Sequence, residues 1–275
     1  MPGVLPDELV PDALSDDKVG VLPWRQNHTA ITALIGRSFA GTASTKAEAA
    51  LHWALGPELT TFDDAVRNQA GWFCMKMALS TKGPIATTLS VRDETGSIAA
   101  VAVIQNLECA PPKSTWMDSL RETWTVASVL ATCSMPRVMM TNPGVERRGT
   151  LLTTFFARLH EAHANFPHIY LAMVGTDPPM QGKGYGGTLL RAVNRVADAA
   201  GVPIYLETGP SNRSLYEHFG YSVMGEIIMQ EENNKETATS SWSPASPYLA
   251  MVRQPNAVDA ETTEHGREKN DGARV

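Results

Sequence analysis

The sequence predicts a mixed α/β fold: a single domain around a central mixed sheet, antiparallel in its N-terminal half and holding a parallel strand pair later, with helices on both faces. Three observations carry this. Ile85–Arg92 ("IATTLSVR") and Ile98–Gln105 ("IAAVAVIQ") are short runs of β-branched or small residues joined by Asp93-Glu-Thr-Gly96, a hairpin signal. Ile169–Thr176 ("IYLAMVGT") and Pro203–Glu207 ("PIYLE") are strands with a helical stretch between them, which makes the second parallel to the first. The intervening segments repeat their apolar residues at helical spacing.

The elements follow in order. Lys18–Pro23 is a short strand, and the next helix carries Ile31, Leu34, Ile35 and Phe39 on one face. Phe62, Val66, Trp72 and Phe73 mark a second helix with Thr60 or Thr61 as its cap. After the hairpin, Pro111 and Pro112 stop the chain, and Ser114 caps a helix with Trp116, Leu120 and Trp124 on one side. A turn at Asn142-Pro-Gly144 leads into a helix bearing Leu152, Phe155, Phe156 and Leu159. Thr188–Ala200 is a helix with Leu189, Val193, Val196 and Ala200 inward and Gly201 just past its end. Asn212–Phe219 is a short helix ended by Gly220, with Leu215 and Phe219 as its anchors. Ser222–Met229 and Tyr248–Arg253 close the fold as a hairpin across the long polar segment 230–247. Residues 1–17 and 254–275 are polar tails, leaving 18–253 as the domain.

Composition narrows the function. A net charge of -6, from 23 Lys+Arg against 29 Asp+Glu, argues against a nucleic-acid partner and suits a cationic small substrate. Three widely spaced cysteines suggest neither a disulfide framework nor a zinc site. His160 and His163 lie on one helical stripe with Leu152 and Phe156, a packing arrangement, and no metal is expected. No run reaches the ~18 apolar residues of a membrane span, and the acidic N-terminus resembles no targeting segment, so the expected location is the cytoplasm.

The richest stretch is "MQGKGYGGTLL", Met180–Leu190, where glycines crowd the start of a helix. Gly182-x-Gly184-x-x-Gly187 fits a dinucleotide fingerprint, with Glu207 as a possible ribose ligand. Against it, Asp177-Pro-Pro-Met-Gln181 separates the glycines from the strand, and the further βαβ units such a fold needs are missing. Gln181-Gly-Lys-Gly-Tyr-Gly186 instead resembles the Q/R-x-x-G-x-G/A pyrophosphate loop of the GCN5-related N-acetyltransferase (GNAT) superfamily. The resemblance extends from the first strand through Asp177-Pro178, the loop, the helix and the second strand to Asn212, Tyr216 and Gly220-Tyr221. Over residues 166–225 it is similar to the puromycin N-acetyltransferase branch.

What the resemblance implies is acetyl-CoA as cosubstrate and direct transfer to an amine, favouring a small antibiotic- or xenobiotic-like acceptor. The cofactor side would comprise Val174, Gly175 and Thr176 on the strand, Gln181, Gly182, Lys183, Gly184, Tyr185 and Gly186 in the loop, and Asn212. Gly175, near the end of its strand, suggests a bulge or a close backbone approach; the resemblance implies a bulge there that splays the two parallel strands and admits the pantetheine arm. Tyr216 would be the general acid for the departing thiolate; the bland alternative is a half-buried packing tyrosine. Glu207, at the carboxyl end of its strand, is the candidate base, an anchor for a cationic substrate, or a structural hydrogen-bonding group. Two rival functions remain: acetylation of a protein or peptide, and a non-catalytic CoA-binding sensor.

Overall fold

The structure is a computed structural model that describes residues 18–42, 47–56, 63–82, 86–107, 123–124, 127, 143–230 and 246–256. Its strands are β1 (Val19–Val21), β2 (Thr87–Arg92), β3 (Ile98–Leu107), β4 (His168–Thr176), β5 (Ile204–Thr208), β6 (Ser222–Met229) and β7 (Ser246–Arg253). Its helices are α1 (Trp24–Ala40), α2 (Ala49–Leu55), α3 (Asp64–Lys82), α4 (Pro143–His163), α5 (Tyr185–Ala200) and α6 (Arg213–His218). The seven strands form one open sheet in the order β1-β2-β3-β4-β5-β7-β6, with β4 and β5 its one parallel pair among the described residues.

Strand alternation sends successive side chains to opposite faces and so divides the core. On one face Ala100, Ala102, Ile169, Leu171, Ile204, Leu206, Leu249 and Met251 meet the apolar stripe of α5, Leu189, Leu190, Val193 and Val196. Each of those four helix side chains is essentially fully buried, worth about 1.5–3 kcal/mol apiece. On the other face Val101 and Val103 pack on α1 and α3, while Tyr170, Tyr205, Tyr248 and Ala250 pack on α2 and α4.

Several expectations need correction. The helix α2 has no forecast counterpart, and α5 begins at Tyr185 rather than Thr188. The first-turn bond of α3 is accepted by Asp63 Oδ1 from the Val66 N–H at 2.9 Å. Thr60, Thr61 and the helix expected after Ser114 up to Leu120 lie outside the described residues, as do the tails 1–17 and 257–275 and most of segment 230–247. Of the two expected anchors of α6, Phe219 packs on the core, whereas Leu215 is 46% exposed.

The bulge is also displaced. Val103 pairs with Met173 but Ile104 with Leu171, so the extra residue in β4 is Ala172, not Gly175. The insertion reverses the alternation beyond it. Val174 joins the α5 face, while Met173 and Gly175 turn toward α1. Gly175 answers to the other expectation, a close backbone approach: a Cβ there would sit 3.2 Å from Ser38 Cβ and 3.3 Å from Ile35 Cα, so α1 packs against bare backbone.

Candidate active site

The parallel strands stay paired for two rungs only, Ile169 with Ile204 and Tyr170 with Tyr205. Beyond the bulge β4 runs on beside β3, and β5 leans to β7, leaving a split between them. Val174, Gly175 and Thr176 edge that split with no β5 partner.

The chain leaves β4 through Asp177 and a 3-10 turn at Pro178–Met180, then enters the glycine loop. Gly182 (φ 76°) and Gly184 (φ 87°) adopt left-handed backbone, a conformation that glycine reaches without penalty. Gly184 caps α5 with no side chain, and the first bond into the helix is the Thr188 N–H to Gly184 O. The amides of Tyr185, Gly186 and Gly187 therefore begin the helix, where backbone N–H groups and the dipole favour an anion. Gly186 backs onto Thr176, whose Oγ1 would lie 3.0 Å from an added Cβ. Gln181 Nε2 donates to Thr176 O at 3.2 Å and ties the loop to the strand end. Lys183 is exposed and lowers the Asp93 carboxyl only as a minor contribution, behind the Thr95 hydroxyl bond to that carboxylate. Tyr185 packs against the α5 core.

On the far side of the split, Asn212 Nδ2 donates to Thr208 Oγ1 at 3.2 Å. Tyr216, one turn on, is half-buried and lies edge-on to Tyr221 with centroids 5.5 Å apart. Burial, and then the Glu48 charge, push its phenol well above the ordinary value, so it holds its proton at all physiological pH.

Residues 145–221, the stretch from α4 through Tyr221, match the acetyltransferase (GNAT) family. That segment is similar to GNAT acetyltransferases. Two uncharacterized N-acetyltransferases of Schizosaccharomyces pombe are similar. One is 34% identical over 106 residues, covering 34% of this chain and 43% of the relative. The other is 31% identical over 98 residues, covering 36% of this chain and 38% of the relative. The chain thus matches less than half the length of either. Among solved structures, arylalkylamine N-acetyltransferase 2 from Aedes aegypti aligns over 87% of this chain and 99% of its own, at 15% identity and a TM-score of 0.49.

Within the matched segment Glu207 faces away from α5. Its side chain, 6% exposed, points to α4, where Oε1 is 3.5 Å from His160 Nδ1. The Tyr248 phenol on β7 is shifted up by burial, then by Glu48, and further by Glu207 and Tyr216, so it stands among the three. Sequence reasoning missed two side chains here. Glu48 precedes α2, accepts the Ala50 and Leu51 amides, and receives the Tyr248 hydroxyl at 2.8 Å. Burial raises its carboxyl despite these bonds. Arg37 grips Asp177 with two bonds of 2.9 and 2.8 Å, joining α1 to the foot of the glycine loop. A glutamate just ahead of a heptamer that is apolar except for His52 was the available signal for the first; nothing local marks the second. Among the described residues no group of three or more His, Cys, Asp or Glu could hold a metal ion, and no helix is long and apolar enough to cross a membrane.

Proposed function

We propose that residues 18–253 form an acetyl-CoA-dependent N-acetyltransferase acting on a small-molecule amine, close in kind to the puromycin N-acetyltransferase branch. The observation that supports it is the continuity of the site: positive-φ glycines, uncapped α5 amides, a β4–β5 split and Tyr216 follow one another along a single face. The cradle suits a pyrophosphate, since Gly182 and Gly184 have open space where any Cβ would intrude. Gln181 to Gly186 hold the phosphates, with the Lys183 ammonium adding charge. The backbone of Val174, Gly175 and Thr176 pairs with the pantetheine arm, and Asn212 steadies it from the other side.

Acetyl-CoA supplies an activated acyl group. The protein's share is proton handling. Glu207 takes a proton from the acceptor ammonium, whose deprotonation at pH 7 costs about 4–5 kcal/mol for an amine of pKa ~10.4. Tyr216 gives its proton to the departing thiolate, a transfer that succeeds only with the phenol held against the sulfur. Two buried or half-buried carboxylates, Glu48 and Glu207, favour a cationic acceptor. The test is a panel of aminonucleosides, aminoglycosides, arylalkylamines and lysine peptides, followed by CoA release. Turnover on small amines is expected. Activity confined to peptides would replace the acceptor class, and CoA binding without any turnover would leave the sensor function.

A further inference from the structure

Behind the split, His160 Nε2 and His168 Nε2 are buried without a hydrogen-bond partner, and the Tyr205 hydroxyl and Glu207 Oε1 make no bond of good geometry, although the Tyr170 and Tyr205 phenols stand close enough to Glu207 for a bond to it to raise them. Buried polar atoms are nearly always paired, so a group of them in one layer calls for a role. His160 stands at their centre. Its ring lies 5.0 Å from His168, 4.9 Å from Tyr170 and 4.6 Å from Tyr205, and its Nδ1 is 3.5 Å from Glu207 Oε1.

The titratable groups that face His160 are His168 and Tyr170 from β4 and Tyr205 and Glu207 from β5. Burial, and then the Glu207 charge, hold both phenols protonated. His168 Nδ1 donates to Phe166 O at 2.6 Å, and because a carbonyl only accepts, its Nε2 is a bare acceptor. Burial keeps that ring neutral. Among the described residues no lysine or arginine pairs with Glu207. The imidazole beside this carboxylate is the side chain that exchanges protons near neutrality.

We propose that His160 is a positioning residue for acetyl transfer, acting through Glu207; the proposal rests on Glu207 being the base. The acceptor ammonium loses one proton to the Glu207 carboxylate. The resulting acid passes it to His160 Nδ1, in the tautomer that carries its own proton on Nε2. An imidazolium–carboxylate pair forms and Glu207 is again anionic. The thiolate takes its proton from Tyr216, the second N–H proton lost as the amide forms restores that phenol, no electrons change hands, and the proton on His160 returns through Glu207 to the water that enters as product departs.

Two variants guard against misfolding: His160→Gln keeps polarity and His160→Phe keeps the packed ring. Both should bind acetyl-CoA normally, lose about 10-fold or more in kcat, and shift the acidic limb of the kcat–pH profile. His160→Gln added to Glu207→Gln should slow the enzyme no further than Glu207→Gln alone. An unshifted pH profile, or additive losses, overturns the relay. The nitrogen NMR shifts of the His160 ring need no turnover: Glu207→Gln should move the Nδ1 shift away from its wild-type value, and an unchanged Nδ1 shift overturns the coupling whatever the reaction. Intact coupling in a wild-type chain that acetylates none of the amines would instead overturn the acetyltransferase function and, with it, the relay.

Discussion

Gly184 and Gly201 stand at the two ends of α5 in the same left-handed region, with φ 87° and 65°. An added Cβ meets nothing within 4 Å at either place. Alanine at each position therefore carries strain without a clash, about 1–2 kcal/mol. For a domain of this size the melting temperature should fall by about 2–8 °C in both variants. Their surroundings differ. Gly184 fixes the aim of the Tyr185, Gly186 and Gly187 amides and leaves room for a phosphate, whereas Gly201 closes the opposite end. Losing one amide bond to a charged oxygen costs about 1.5–3 kcal/mol. Gly184→Ala should therefore weaken acetyl-CoA binding by about 10- to 150-fold, with Gly201→Ala within about two-fold of wild type. Calorimetric titration beside melting curves makes the comparison. Equal affinities in two equally destabilised variants would refute the phosphate cradle.

Arg37→Met removes the bidentate grip on Asp177. Since the pair is partly exposed, with side chains 36% and 20% accessible, the stability loss should be about 1 kcal/mol or less, while the KM for acetyl-CoA rises more than kcat falls. His168 has its pKa lowered from 6.5, chiefly by burial, so its contribution is complete above about pH 6.5 and fades as pH falls toward the folded value. Melting temperature should drop over that acidic window, and His168→Gln should flatten the slope. Burial pushes the Cys74 thiol up to about 12. In a Cys109→Ser, Cys133→Ser background, maleimide should label it at neutral pH only as the chain unfolds.

What could be read from the sequence was local. The hairpin, the parallel pair and α5 were legible because alternation and helical spacing are written residue by residue, and Gly201 does end the helix in left-handed backbone. The glycine loop was legible because only glycine relaxes into φ 76° and 87°. Tertiary features were not. Ala172 resembles any small strand residue, and only the register against Val103 and Ile104 exposes it as the bulge that turns Gly175 to α1. Glu48 reaches Tyr248 across 200 positions, and Arg37 reaches Asp177 across 140. No spacing rule spans such distances. Leu215 failed for a related reason: helical periodicity identifies a face, but α6 has six residues and sits at the rim, with Leu215 toward solvent.

Tyr216→Phe tests the central claim most directly. The change keeps the ring and its edge contact with Tyr221 and deletes only the hydroxyl. Acetyl-CoA affinity and melting temperature should stay close to wild type, while kcat on the best small amine falls by about 100-fold or more. An unaltered kcat in a folded, CoA-binding Tyr216→Phe would contradict the transfer mechanism at this site.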